Sequence, residues 1–455
     1  MSLKIIIRLF ISFYMLLISS GLVAQHNLNS AARPQNLSDS ALLDLVQKQT
    51  INYFIDGAEP VSGMGRERIH MDNEYPEKDQ NIVTSGGSGF GVMCLIVAME
   101  RKFITREDGV RRLEKIVHFL ETADRFHGAW PHWLNGETGK VKPFGTKDNG
   151  GDLVETSFMI QGLLCVRQYF KEGSKKEEAL AQRIDKLWKE VEFDWYRNNQ
   201  NVLYWHWSPE YAWQMNFPVH GYNECLIMYV LAASSPTHSV SAKVYHEGWA
   251  ENGKIKSPHK VLGYQLQLRY QGNPPVGAPL FWSHYSYLGL NPKELKDKYT
   301  DYWIENTNQT LINYTWCVNN PNKYTGYGKD NWGLTASYSL MGYAAHSPNP
   351  NDDAGVISPT AALSSFPYSP KESMAALKHW YYDKKDKLWG QYGFYDAFSE
   401  TANWYPQKYL AIDQGPIPVM IENYRSGLLW KLFMSCPEVQ NGLTKLGFQN
   451  NWLNK

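Results

Sequence analysis

Residues 147–191 read KDNGGDLVETSFMIQGLLCVRQYFKEGSKKEEALAQRIDKLWKEV and hold two helices of opposite character. The first, Leu153 to Val166, is apolar on almost every face, the pattern of a helix buried all round. The second carries Leu180, Ile184, Leu187, Trp188 and Val191 on one stripe, with charge on its remaining faces. That is the pattern of a helix with one side to solvent. An inner helix covered by an outer one gives this pairing.

The pair recurs in both directions along the chain. Phe90 to Met99 is apolar throughout; after it, Thr105 caps a helix with Val110, Leu113, Ile116, Val117 and Leu120 on one stripe. Tyr222–Ala232 and Ile417–Phe433 are again apolar nearly all round, and an amphipathic helix over Leu42–Ile55 ends near Gly57. Long loops rich in aromatic and polar residues tend to precede the inner helices, at 58–88, 127–151, 194–221, 271–285, 321–335 and 391–416. Six loops imply six hairpins, and parallel inner helices bring all the loops to one end, which becomes the functional face. The expected fold class is therefore all-α: an (α/α)6 barrel, or toroid, with long aromatic-rich loops at one end. Strand-like alternation is confined to Val202–Trp207 and Tyr392–Phe394, short enough for loop hairpins.

The N-terminus reads as a leader. Lys4 and Arg8 give a positive start, Phe10 to Val23 an apolar core, and Leu22-Val23-Ala24 before Gln25 a cleavage site. Residues 1–24 are expected to be a signal peptide and 25–455 one domain, because no Ser/Gly- or Pro-rich spacer divides the chain. The product is then exported, periplasmic or secreted. Arg8 leaves the apolar segment short for a spanning helix, so no stable membrane anchor is expected. With 45 basic and 45 acidic residues, charge gives no reason to expect nucleic acid as partner. A monomer is expected. Cys94, Cys165, Cys225, Cys317 and Cys436 lie far apart in apolar stretches without ligand spacing, which favours free buried thiols over a disulfide or zinc site.

Seventeen Trp and 29 Tyr exceed the needs of the core, and many fall in the loops, where they can stack on sugar rings. Glycosidic hydrolysis needs two carboxyl groups, an acid and a base or nucleophile. Asp148, Asp152 and Glu155 surround the start of the Leu153 helix. Asp152 and Glu155 are equally explained as N-cap and capping-box partner, whereas a cap has no use for Asp148. Glu224, in HGYNEC (220–225), opens another buried helix, either as a group favouring the helix dipole or as a desolvated acid with a raised pKa. Asp413, in LAIDQGP (410–416), is either a turn residue or a third functional carboxylate, with Pro416 at the first position of the next helix. The glycine-rich run at 86–91 reads as a tight loop allowing close helix approach rather than an anion site. No HExxH, GxSxG or GxxxxGK[ST] motif occurs, and neither metal nor cofactor is expected.

The pieces TSGGSGFG (84–91), KDNGGDLVET (147–156), GYNEC (221–225), FWSHYS (281–286), YGKDNWGLTAS (327–337) and AIDQGPIPVMIENYRSGLLW (411–430) resemble the bacterial endo-β-1,2-glucanases of glycoside hydrolase family 144, the glucoamylase-like family. The resemblance covers most of the chain in order. It implies an (α/α)6 barrel and metal-free hydrolysis of β-1,2-glucan with inversion, releasing sophorose or short sophorooligosaccharides by endo or exo action. It puts the functional carboxylates on Asp148, Asp152, Glu155, Glu224 and Asp413. By analogy Glu224 is the general acid and Asp413 the leading base, with Asp152 its rival. Asp148 and Glu155 then bind substrate or hold the others, and Arg66, Arg68, Trp282, His284, Tyr285 and Trp332 are candidate sugar contacts. Two other readings are a hydrolase of the same fold acting on another glucan, and a non-catalytic glucan-binding protein.

Overall fold

The computed structural model describes residues 34–270, 277–293, 295–384 and 387–449. The expected signal peptide and its boundary lie outside them. The chain divides into two units, residues 1–42 and 43–455, and everything functional below belongs to the second. Among the described residues no helix is long and apolar enough to cross a membrane.

Helix α1 spans Asp39–Ile51, and a short 3-10 turn, Asn52–Phe54, follows it. Helix α2, Ser85–Glu100, is buried at every residue from Ser85 to Met99. Helix α3, Arg106–Thr122, buries one stripe, and the Thr105 side chain caps it by accepting from Asp108 N. The pairing repeats with α4, Leu153–Tyr169, buried from Leu153 to Val166, and α5, Lys175–Lys189, one-sided and closed by a Ser174/Glu177 capping box. Helix α6, Leu226–Ser234, is buried throughout. It starts four residues later than the apolar pattern implied, because Cys225 at its N-cap has non-helical backbone.

The fourth inner segment is not an α-helix but two 3-10 turns, Leu280–Ser283 and Tyr285–Leu288. It is followed by α7, Tyr302–Asn319, with Asp301 accepting from Trp303 N and Ile304 N. The fifth inner segment is the five-residue α8, Pro359–Leu363, backed by α9, Pro370–Lys378. The short α10, Ala411–Gln414, leads into α11, Pro416–Arg425, buried from Pro416 to Asn423. The expected single helix over Ile417–Phe433 is broken: Gly427 adopts φ +71, a left-handed conformation cheap only for glycine, and α12, Leu428–Met434, turns back as a one-sided helix. Helix α13, Pro437–Lys445, closes the series. Inner segments pack on one another: α2 on α4, α4 on α6, α6 on the 3-10 segment, that segment on α11, α11 on α8, and α11 back on α2.

The glycine run lies inside α2 rather than in a loop, and close approach is its use. A Cβ on Gly89 would stand 2.5 Å from Met159 Cα of α4, and one on Gly162 would strike the Gly89 carbonyl. Strands are two to four residues long and belong to the loops. Arg68–His70 pairs with Lys408–Leu410, Ile82–Thr84 with Trp133–Asn135, and Gly151–Asp152 with His206–Trp207. These ladders tie one inter-helix loop to another ahead of the inner helices. All five cysteines are buried and unbonded.

Candidate active site

The loops preceding the inner segments enclose a cavity of about 570 Å³. Glu67, Arg68 and Thr84 line it from the first loop, His132, Trp133 and Phe144 from the second, and Trp205 from the third. Glu155 and Glu224 enter from the starts of α4 and α6, Phe281 and Tyr285 from the 3-10 segment, Leu410 and Ile412 from the last loop. The fifth loop contributes differently from expectation. Residues 321–335 do not reach the cavity; Ala336, Tyr338, Tyr343 and Ala345 do, on the hairpin Ala336–Ser339/Gly342–Ala345. Its tip residue Met341 is 96% exposed.

Glu224 lies where cavities meet. It borders the main cavity and, with Trp205, a second one of about 200 Å³ that also touches Phe217, Asn223, Tyr270 and Trp282. Tyr270 and Trp282 continue into a third of about 590 Å³. Glu224 is 9% exposed, and burial pushes its pKa up to about 7. It precedes α6 and is not that helix's cap.

The Asp148/Asp152/Glu155 group is wired through histidine. Asp152 does cap α4, accepting from Glu155 N at 2.8 Å through Oδ1, while Oδ2 accepts from Trp205 Nε1 at 2.9 Å and faces His132 Nδ1 at 3.0 Å. The reciprocal half of a capping box is missing, because Glu155 reaches instead to Gly86 N, 2.7 Å away at the start of α2. Gly86 has no side chain for a reason: a Cβ there would stand 2.8 Å from the Glu155 carboxyl carbon. Burial alone would lower the His132 pKa, but Glu155, Asp152 and Asp148 around it hold it up at about 10, so it is an imidazolium. Burial raises Asp148 and Glu155 to about 7, with the Asp152 charge adding and His132 opposing. Asp148 Oδ1 is 3.3 Å from His206 Nε2. His132, Asp148 and Asp152 offer ligand atoms within 4.8 Å of one another, and His132 Nδ1 faces Asp152 Oδ2. With both oxygens committed and no exposure, Asp152 is badly placed to take a proton from substrate or water.

Asp413 lies just behind the cavity wall, 1% exposed, with Tyr285 OH at 3.5 Å from its Oδ1. Burial and the neighbouring Asp396 carboxyl raise its pKa well above the carboxylate range. Asp396 was not legible as a site residue; it sits in Gly393-Phe-Tyr-Asp396, beside a two-residue strand. Glu67 was missed too, although it lies between the two arginines singled out from the sequence.

The predicted sugar contacts divide. Arg68 lines the cavity, paired with Asp79 at 3.3 Å and lying over the Trp133 ring. Tyr285 lines it as well, and Trp282 lines the second and third cavities. Three others do not. Arg66 is spent on backbone, donating to Gly57 O and Gln80 O. His284 is buried, bonded to Ser365 Oγ at 2.9 Å, with a pKa lowered by burial to about 3. Trp332 is fully buried with Nε1 facing Glu372 O. The aromatic surplus misled here: these rings are core.

The chain is similar to several known proteins. A family model described as putative glucoamylase matches residues 216–437. The structure of an endo-β-1,2-glucanase from Chitinophaga pinensis, in complex with sophorotriose and glucose, is 69% identical; the match covers 92% of this chain and 100% of that one, with a TM-score of 0.91. An exo β-1,2-glucooligosaccharide sophorohydrolase (non-reducing end) from Parabacteroides distasonis is 46% identical over 426 residues, 90% of this chain. This chain spans only 58% of that relative's length. At 11% identity, an endo-β-1,2-glucanase from Talaromyces funiculosus in complex with sophorose shares the fold, with a TM-score of 0.64.

Proposed function

We propose that this chain, which belongs to the same family as the Chitinophaga pinensis endo-β-1,2-glucanase, hydrolyses β-1,2-glucan by a two-carboxylate inverting mechanism. On this reading it is a member of glycoside hydrolase family 144, and its six inner segments, with α11 packed on α2, on the 3-10 segment and on α8, are the inner ring of an (α/α)6 barrel. The observation that carries the mechanism is Glu224: a carboxyl held near pKa 7, with cavities on both sides of it. A general acid must be protonated at working pH and must reach a bond with sugar on either side. The continuation of the groove past Trp205 and Trp282 supports endo action.

Glu224 protonates the leaving oxygen while the base side accepts a proton from the attacking water. Asp413 takes that role through a water or substrate hydroxyl at Tyr285, because its carboxyl does not itself line the cavity. Asp152 and the His132 imidazolium hold Asp148 and Glu155 in place, and Arg68, Trp133 and Trp205 contact sugar. The leader-like Lys4–Ala24 segment supports export to the periplasm or beyond.

The test is incubation with β-1,2-glucan, with starch and β-1,3-glucan as parallel substrates, following new reducing ends and the anomer first formed by NMR. The expected result is cleavage of β-1,2-glucan alone to a first-formed α-anomer. Cleavage of starch only would move the substrate class; a first-formed β-anomer would overturn inversion.

A further inference from the structure

Buried polar atoms without partners are rare in native proteins, and two of them meet behind the cavity wall. Asp413 Oδ2 and Asp396 Oδ1 are covered and receive no hydrogen bond from an N–H or O–H group. The two carboxyls are nonetheless in hydrogen-bonding contact with each other. Carboxylates offer only acceptors, so this contact is satisfied only when one of the pair holds a proton. Their other oxygens are fixed: Tyr338 N donates to Asp396 Oδ2 at 2.7 Å, and Tyr285 OH approaches Asp413 Oδ1 from the cavity side. Asp396 is anchored further by Ser358 Oγ donating to its carbonyl and by its own N–H to Lys408 O. Glu67 faces both carboxyls, Tyr285 faces Asp413, Tyr338 faces Asp396, and Tyr343 faces both.

We propose that Asp396 is a positioning residue for hydrolysis: it shares one proton with Asp413, and the singly charged pair, not Asp413 alone, accepts the proton of the attacking water. This rests on the reading of Asp413 as the base. The water oxygen bonds to the anomeric carbon as the glycosidic bond breaks, and Glu224 gives its proton to the departing oxygen. The water proton arrives on the outer oxygen of Asp413, and the pair becomes neutral with two protons. Returning one proton through solvent to the ionised Glu224 restores both groups. Burial and mutual repulsion both oppose the doubly ionised pair, with Asp396 raised to about 6 and Asp413 higher.

Asp396→Asn is the test. Tyr338 N selects the amide oxygen, so the NH₂ points at Asp413 Oδ2 as a donor, but a weaker one than the carboxylic acid it replaces, so ionised Asp413 is stabilised less than in the singly charged pair. The expected result is an acid limb of the kcat/KM–pH profile moved up by about one unit, with KM little changed. A purely structural Asp396 would depress kcat evenly and leave the limb in place, which would overturn the proposal. Asp413→Asn separates the two ideas: if it stays active, the base assignment itself fails. If Asp396→Asn does not fold, the wild-type enzyme decides. With 13C-labelled aspartate, one carboxyl should remain protonated at pH 7, vanish in Asp413→Asn and persist in Asp148→Asn. A spectrum without such a signal overturns the shared proton.

Discussion

Replacing Glu224 with Gln should destroy activity and stabilise the protein at once, and the two effects have one cause. A carboxyl with its pKa near 7 is about half protonated at pH 7, against roughly 0.3% for one left at its ordinary value near 4.5. The amide keeps the shape but has no proton to give, and general acid catalysis is worth about 10²–10⁴ in rate. The stability effect follows from the same shift. The folded-state pKa is raised above the unfolded value, so the folded protein binds the proton more tightly between about pH 4.5 and 7. Folding stability therefore falls as pH rises through that window. At 1.36 kcal/mol per pKa unit, the ionised side chain costs the fold about 3 kcal/mol above pH 7 and nothing below 4.5. Glu224→Gln removes that cost. Over roughly 400 residues, with an unfolding entropy of about 2.1 cal/mol/K per residue, the gain is about 3–4 °C in Tm at pH 8 and none at pH 4. Scanning calorimetry at both pH values, beside a reducing-end assay, checks it. A variant less stable than wild type at pH 8, or one retaining more than about a tenth of its activity, would refute the argument, and the acid would have to be sought among Asp148, Asp152 and Glu155.

Asp152→Asn should lower stability by about 1–3 kcal/mol in urea titrations: whichever way the amide turns, either the Glu155 cap is lost or an NH₂ faces Trp205 Nε1 and the His132 imidazolium. An unchanged midpoint would mean that those donors are not committed to Asp152. Arg68→Ala should raise KM for β-1,2-glucan severalfold, whereas Trp332→Phe should leave KM unchanged, since Trp332 is sealed in the core; the reverse outcome would put the sugar elsewhere. Gly89→Ala should cost about 1–3 kcal/mol or more through overpacking of α2 against α4, and a variant as stable as wild type would show that the two helices can part without penalty.

The helices that were legible were those with continuous patterns. Both the all-round apolar runs of α2 and α4 and the stripes of α3 and α5 come from burial geometry, which composition records directly. What escaped was set by tertiary contact. The 3-10 segment at 280–288 and the five-residue α8 are too short for a period to show, though both occupy inner positions. Ser426-Gly427 split the last apolar run because one left-handed glycine outweighs the apolar residues on both sides. In the site, the carboxylates beside helix starts stood out because a polar group bordering an apolar run is conspicuous. Asp396 and Glu67 did not, because they lie at bends beside short strands, where any polar residue is ordinary. His284 and Trp332 were chosen for residue type and loop position, and only packing tells a sugar platform from a core ring.

The five unbonded cysteines make the protein its own reporter of breathing. Cys94 sits on α2, Cys165 on α4, Cys225 just ahead of α6, Cys317 on α7 and Cys436 just ahead of α13, each shut away from solvent. Burial also keeps each thiol in its unreactive protonated form. An alkylating reagent therefore meets a sulfur only after the surrounding helices have opened. Pulse labelling followed by peptide mass spectrometry would date those openings one helix at a time, with no engineered probe, and rank the parts of the chain by the free energy that keeps each one closed.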